Sequence, residues 1–196
     1  VLGILSSPLW IGGMIAVKLY DGGPVIFKQE RATINGRRFQ VYKLRTMKQN
    51  VENYSATKND DRITVPGKFL RRTRIDELPQ LLNVLKGDMT FVGPRPEMIK
   101  NIEEYTKELP EFEYRLRVKA GLTGYAQIAG KYNTTPKDKL VMDMMYIERF
   151  SVWRDLQLIL QTAGVLLKSD SAEAFDKKRK KTPYIFPGSD NREEKK

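Results

Sequence analysis

The 196-residue sequence contains neither cysteine nor histidine. Without thiol or imidazole there is no disulfide framework, no catalytic cysteine, no Ser-His-Asp triad and no Cys/His zinc site. Chemistry must come from Asp, Glu, Lys, Arg, Ser, Thr or Tyr. Any metal must sit among oxygen ligands, which favours Mg²⁺, Mn²⁺ or Ca²⁺. Internal repeats, a Walker loop and a G-x-G-x-x-G turn are missing too. Acidic residues are outnumbered, with 35 Lys plus Arg against 24 Asp plus Glu and a net charge of +11. The partners expected are therefore anionic: phosphates, nucleic acid or an anionic membrane face. Aromatic residues are not interleaved with the basic ones as stacking platforms require, so nucleic acid is not expected. With 40% hydrophobic and 30% charged residues, the chain is neither a disordered tail nor a polytopic membrane bundle.

The chain opens on Val1, which suggests that the natural start lies upstream. Residues 1–17 carry no charge. At about 1.5 Å per residue this run reaches about 25 Å, short of the roughly 20 residues that span a bilayer. Pro8 removes a backbone donor and disfavours helix at Ser7, so a break is expected at Ser7 and Pro8. A helix that enters the bilayer, turns there and leaves on the same side fits this pattern. The basic flank of Lys18, Lys28, Arg31, Arg37 and Arg38 puts the globular part on the cytoplasmic face.

Further on, residues 25–31 and 38–44 suit a β-hairpin whose turn contains Asn35-Gly36. Residues 49–67 are polar and aperiodic, a long loop of the kind that is often functional. Helices are expected over 76–85 with Asp76 as N-cap, over 97–109 and on to 118, over 136–150, and over 152–168 behind Ser151. The last has an apolar set of Trp153, Leu156, Leu160, Ala163 and Leu167 that either closes the core or lies in a membrane interface. The fold class expected is α+β, mostly helical, with one hairpin, a re-entrant N-terminal helix and interfacial amphipathic helices. Residues 1–20 would be membrane helix, 21–170 the globular domain and 171–196 a basic, disordered tail.

The segment 68–97 carries the strongest chemical signal. Arg71, Arg72 and Arg74 precede Asp76-Glu77 at a helix start. A helix N-terminus favours anions, and arginines clamp phosphate bidentately. An ionised Asp76 can attack phosphorus, and Glu77 can hold a divalent cation that shields the phosphate charge. The same residues also suit a plain N-cap, a first-turn Glu and a solvated basic stripe.

The string D-E-L-P-Q-L-x-N-V-L-K-G-D-M-x-x-V-G-P-R-P at 76–96 resembles the hallmark of the bacterial sugar transferases, the monotopic phosphoglycosyl transferases that act on polyprenyl phosphate. G-P-V-I-F-K-Q at 23–29, Y-K-L-R-T-M at 42–47, G-L-T-G at 121–124 and K-Y-N-T-T-P at 131–136 extend the likeness over roughly residues 4–168. The resemblance implies transfer of a sugar 1-phosphate from a UDP-sugar to undecaprenyl phosphate, with UMP released and an aspartyl-phosphosugar intermediate. It implies Asp76 as nucleophile and Glu77 as Mg²⁺ ligand. It further implies Lys43 and Arg71 near the phosphates, Arg95 lining the nucleotide pocket, and Ser7-Pro8 as the break of the re-entrant helix. A bacterial inner-membrane location, contact with anionic lipids, and a role in starting capsule, exopolysaccharide or O-antigen assembly follow from it. Ala120 and Asp61 stand where the family pattern has proline. The alternatives are a non-enzymatic basic module binding nucleic acid, drawn from the net charge alone, and a membrane-surface scaffold with a dead site.

Overall fold

The computed structural model describes residues 2–49, 51, 60–129 and 134–167. The centre of the expected 49–67 loop, the start of the K-Y-N-T-T-P segment and the basic tail lie outside them.

The N-terminal run is helical. Helix α1 (Leu2–Leu5) and helix α2 (Ser7–Asp21) are separated at Ser6, one residue before the expected break, and Pro8 lies in the first turn of α2. Proline costs nothing there, because first-turn amides have no intrahelical partner, so the helix restarts at Ser7-Pro8. Gly22, at φ 70, ends α2 in the left-handed conformation. One stripe of α2 is buried. Val17, with Trp10 and Met14 beside it, packs on Leu44, Leu70 and Ile75. Gly13 belongs to the same stripe, where a Cβ would come within 2.6 Å of Leu44 Cδ1. Leu5, Leu9, Ile11, Ile15 and Leu19 are exposed. No helix among the described residues is long and apolar enough to cross a membrane.

The hairpin forms as expected. Strands β1 (Ile26–Ala32) and β2 (Arg38–Leu44) pair antiparallel, with Ile26 opposite Leu44 and Ala32 opposite Arg38. Asn35 and Gly36 take positive φ in the connection. Period-2 alternation buries Phe39 and Val41 on one face of β2 and puts Lys43 in line with them.

The single-hairpin expectation is incomplete, because a second sheet is present. Strands β3 (Thr90–Val92) and β4 (Gly121–Thr123) pair in parallel. Glycine permits the approach, since a Cβ on Gly121 would lie 2.1 Å from Gly93 N. Beside it, the Ala120 amide donates to Thr33 Oγ1 at 3.1 Å, a bond proline cannot make.

The remaining elements are helical. Helix α3 (Val65–Arg72) is capped by Thr64, and a 3₁₀ segment (Ile75–Gln80) leads into α4 (Leu81–Leu85). Helix α5 (Ile99–Glu108) runs into a second 3₁₀ segment (Pro110–Arg117), and α6 (Tyr125–Ala129) follows β4. Helix α7 (Pro136–Ile147) opens with a capping box made by Thr135 and Asp138. Helix α8 (Val152–Leu167) starts where Ser151 Oγ accepts the Arg154 amide. The open question about α8 is settled by its orientation. Among its described side chains Leu158 is the buried apolar one, and Val152, Trp153, Leu156 and Leu160 face outward. Trp153, Leu156, Leu160 and Ala163 of that apolar set therefore do not close the core.

Candidate active site

The polypeptide passes from α3 to the Ile75–Gln80 segment through Arg74 at φ 55, ψ 18. An L-residue in the left-handed region costs about 1–2 kcal/mol, and such strain concentrates at functional sites. Asp76 is therefore not the N-cap that the sequence suggests. It lies inside the 3₁₀ turn, and Arg74 occupies the cap position without a side-chain cap bond. The turn brings Asp76 and Glu77 together beneath β2. Asp76 is only 7% exposed. Burial, reinforced by the Glu77 charge, pushes its carboxyl up to about 6 against the pull of Lys43, Arg71 and Arg95. At pH 7 it is still mostly ionised, although desolvation outweighs the local cations.

Glu77 behaves in the opposite way. Its Oε1 accepts from Lys43 Nζ at 2.8 Å and from Arg95 Nη2 at 2.7 Å. Burial opposes ionisation, yet Arg95 and Lys43 together hold the carboxyl well below the usual glutamate range. Burial in turn lowers Lys43, and the Glu77 charge raises Arg95. The two adjacent carboxyls are thus shifted in opposite directions, Glu77 a fixed anion and Asp76 raised towards neutral pH.

The expected residues Lys43, Asp76, Glu77 and Arg95 meet here. Arg71 acts on Asp76 through its charge, and its Nε donates to Thr46 Oγ1 at 2.8 Å. Arg72 is exposed, and Ser7 and Pro8 lie on α2, outside this cluster.

Among the described residues no group of three or more acidic side chains stands close enough to cage a cation. The available oxygens are those of Asp76 and Glu77. Both ion pairs of Glu77 use Oε1, so Oε2 takes part in neither. This donor set fits Mg²⁺, which keeps several waters and commonly binds one or two carboxylates plus substrate phosphates.

A second charged group backs the site and escaped the sequence reading. Arg115, with its side chain 2% exposed, bonds Asp143 Oδ2 through Nε at 2.9 Å and the Arg95 carbonyl through Nη2 at 2.8 Å. Glu97 accepts from Lys139 Nζ at 2.8 Å and lies 3.9 Å from both Arg31 and Arg115. Burial pushes Asp143 up to about 6 despite Arg115, and lowers Arg31 to about 10. The sequence held a signal for two of these residues. Asp143 shares a helical stripe with Leu140 and Tyr146, and Arg115 follows Phe112 at the three-residue period of a 3₁₀ turn.

Comparison with known proteins places the chain in a family. The bacterial sugar transferase profile matches residues 1–169. A UDP-glucose:undecaprenyl-phosphate glucose-1-phosphate transferase of Caulobacter vibrioides is 41% identical over 88% of this chain and 67% of its own length. A UDP-N-acetylgalactosamine-undecaprenyl-phosphate N-acetylgalactosaminephosphotransferase of Aeromonas hydrophila is 40% identical over 83% of this chain and 40% of its own. An Escherichia coli UDP-glucose:undecaprenyl-phosphate glucose-1-phosphate transferase is 42% identical over 81% and 36%. The chain thus spans well under half of the latter two relatives. With the 76–96 string folded at the Asp76-Glu77 pair and the family profile matched over residues 1–169, the chain belongs to the bacterial sugar transferase family.

Proposed function

We propose that this chain transfers a sugar 1-phosphate from a UDP-sugar to undecaprenyl phosphate and releases UMP. The observation that carries the reading is the adjacent pair of buried Asp76 and part-buried Glu77 in opposite electrostatic states, ringed by Lys43, Arg71 and Arg95. An Asp76 oxygen attacks the phosphorus that bears the sugar. The bond from that phosphorus to the UMP oxygen breaks, and UMP leaves with the electron pair. A phosphate oxygen of undecaprenyl phosphate then attacks the same phosphorus and expels the Asp76 carboxylate, so the sugar–phosphate bond stays intact throughout. Lys43 and Arg71 neutralise the donor phosphates, and Arg95 faces the nucleotide. The diphosphate competes with Glu77 for Lys43 and Arg95, which frees Glu77 oxygen for a cation. Mg²⁺, or Mn²⁺ in its place, supplies charge neutralisation on the phosphates when bound, and Glu77 is the residue that would hold it.

The lipid acceptor calls for a membrane face, and we assign α1–α2 and the outer side of α8 to it. The exposed Leu9, Ile15 and Leu19 and the exposed Trp153 and Leu160 support that assignment. The net charge of +11 suits an anionic cytoplasmic leaflet. A re-entrant course through the interruption before Ser7-Pro8, an inner-membrane location, and a place at the start of capsule, exopolysaccharide or O-antigen assembly complete the reading. The decisive experiment incubates the protein with undecaprenyl phosphate, Mg²⁺ and a panel of UDP-sugars and measures UMP. Release with at least one donor, together with a labelled phosphosugar trapped on wild type and missing from Asp76→Asn, is expected. No UMP from any donor overturns the reading and favours a scaffold with a dead site.

A further inference from the structure

Arg95 reaches the carboxylate pair from residues 93–96, Gly-Pro-Arg-Pro, and nothing in that sequence explains how the arginine is aimed. Pro94 and Pro96 have no amide to donate, so a loop built on them can be gripped chiefly by its carbonyls. All three carbonyls are taken in order. Pro94 O accepts from the Gly121 amide at 2.9 Å, Arg95 O from Arg115 Nη2 at 2.8 Å, and Pro96 O from Arg31 Nη1 at 3.3 Å. Two of the three grips are guanidinium groups taken largely out of water, an expensive choice unless each is compensated. Asp143 compensates Arg115 at 2.8 Å, and Glu97, fixed by Lys139 and Asn101, lies 3.9 Å from each arginine. Arg115 Nη1 is nonetheless buried without a hydrogen-bond partner. Its ion pair with Glu97 Oε1 at 3.9 Å is too long for a hydrogen bond. The cost is consistent with a guanidinium whose position is dictated by the Arg95 carbonyl and Asp143 together.

We propose that Arg115 and Arg31 are positioning residues for Arg95: by holding the carbonyls of Arg95 and Pro96 they fix where the Arg95 guanidinium meets Glu77 and the donor. The proposal rests on the transferase reading above. The reach is short and rigid. Two φ angles in residues 94–96 are locked by proline, and Arg95 Nη2 lies 2.7 Å from Glu77 Oε1. A displacement of the loop by about 1 Å carries the guanidinium off its target, and misplacement of that size costs up to about 10²-fold in rate.

A double-mutant cycle tests this. Arg31→Gln is the working variant, because Arg31 stands at the rim with its side chain 18% exposed and Gln can remain folded there. Arg115→Gln serves as a second variant, but its burial makes loss of fold a real outcome. Arg31→Gln, Arg95→Ala and the double variant are compared by kcat/KM for UDP-sugar-dependent UMP release, with melting temperature as the folding control. Arg31→Gln alone should lower kcat/KM about 10-fold, and Arg31→Lys, which can still donate to Pro96 O, should recover part of that loss. In the Arg95→Ala background Arg31→Gln should cost less than about 2-fold, because the residue it positions is gone. Where Arg95→Ala turns over too slowly to time, UDP binding closes the same cycle. Equal losses in both backgrounds would mean that Arg31 touches the donor directly or acts only on the fold, and would overturn the proposal, as would a silent Arg31→Gln. If wild type itself releases no UMP, the transferase reading has failed. If wild type is active and the losses add, only the positioning has failed.

Discussion

Asp76→Asn separates the chemistry of the site from its cost to folding. The carboxyl rises from an ordinary value of 3.8 to about 6 on folding, chiefly through burial. In the window between those values the folded state holds a proton that the unfolded state has released. Stability therefore falls as pH rises through the window, and the full cost is present above about 6. At 1.36 kcal/mol per pH unit the cost is about 3 kcal/mol at neutral pH. Asn keeps the shape and carries no charge to desolvate. The variant should thus be more stable than wild type at pH 7 by up to about 3 kcal/mol, which for a chain of this size is roughly 6–12 °C in melting temperature. The gain should fade towards zero below pH 4. In the same variant UMP release should fall by orders of magnitude, because an amide cannot attack phosphorus. Paired thermal melts at pH 4, 5, 6, 7 and 8, with UMP release at pH 7, check both halves. A variant equally or less stable at pH 7, or a difference that does not vary with pH, refutes the burial argument. Near-normal turnover refutes Asp76 as nucleophile.

Wild-type kcat/KM should decline as pH falls through about 6, as Asp76 takes up its proton, and a profile flat down to pH 4.5 would contradict this. Glu77→Gln removes the charge that gathers Lys43 and Arg95, and it should abolish turnover or raise the Mg²⁺ requirement at least about 10-fold; EDTA should silence wild type until Mg²⁺ is restored. Phe112 is fully buried and packs edge-on against Tyr105 at 5.2 Å, so Phe112→Ala should lower stability by about 3–5 kcal/mol in denaturant titrations. Replacing the exposed Trp153 and Leu160 with Ala should weaken co-sedimentation with anionic vesicles while leaving the melting temperature within about 2 °C, whereas a large drop would place those side chains in the core.

The zero counts of cysteine and histidine, the excess of basic residues and the 76–96 string were enough to bound the chemistry available and to single out Asp76 and Glu77 as candidates. Local signals also fixed the hairpin, because Asn35-Gly36 supplies positive φ and period-2 alternation orients β2, and they fixed the start of α8, because Ser151 supplies a cap. What the sequence could not decide depended on distance along the chain. The pairing of β3 with β4 joins Thr90 to Gly121 in three-residue strands too short to show a period. Whether the apolar set of α8 faces core or solvent is undetermined by periodicity and follows only from which face Leu158 buries. Arg31 looks like one more surface cation, and the period that buries Arg115 does not name its partner; the fold alone brings Arg115 to the Arg95 carbonyl, 20 residues away, and Arg31 to the Pro96 carbonyl, 65 residues away. The charge state of Asp76 belongs to tertiary structure as well. A helix start beside three arginines favours the anion, whereas burial against β2 pushes the carboxyl up to about 6, because desolvation is set by everything packed around a group and not by its neighbours in sequence.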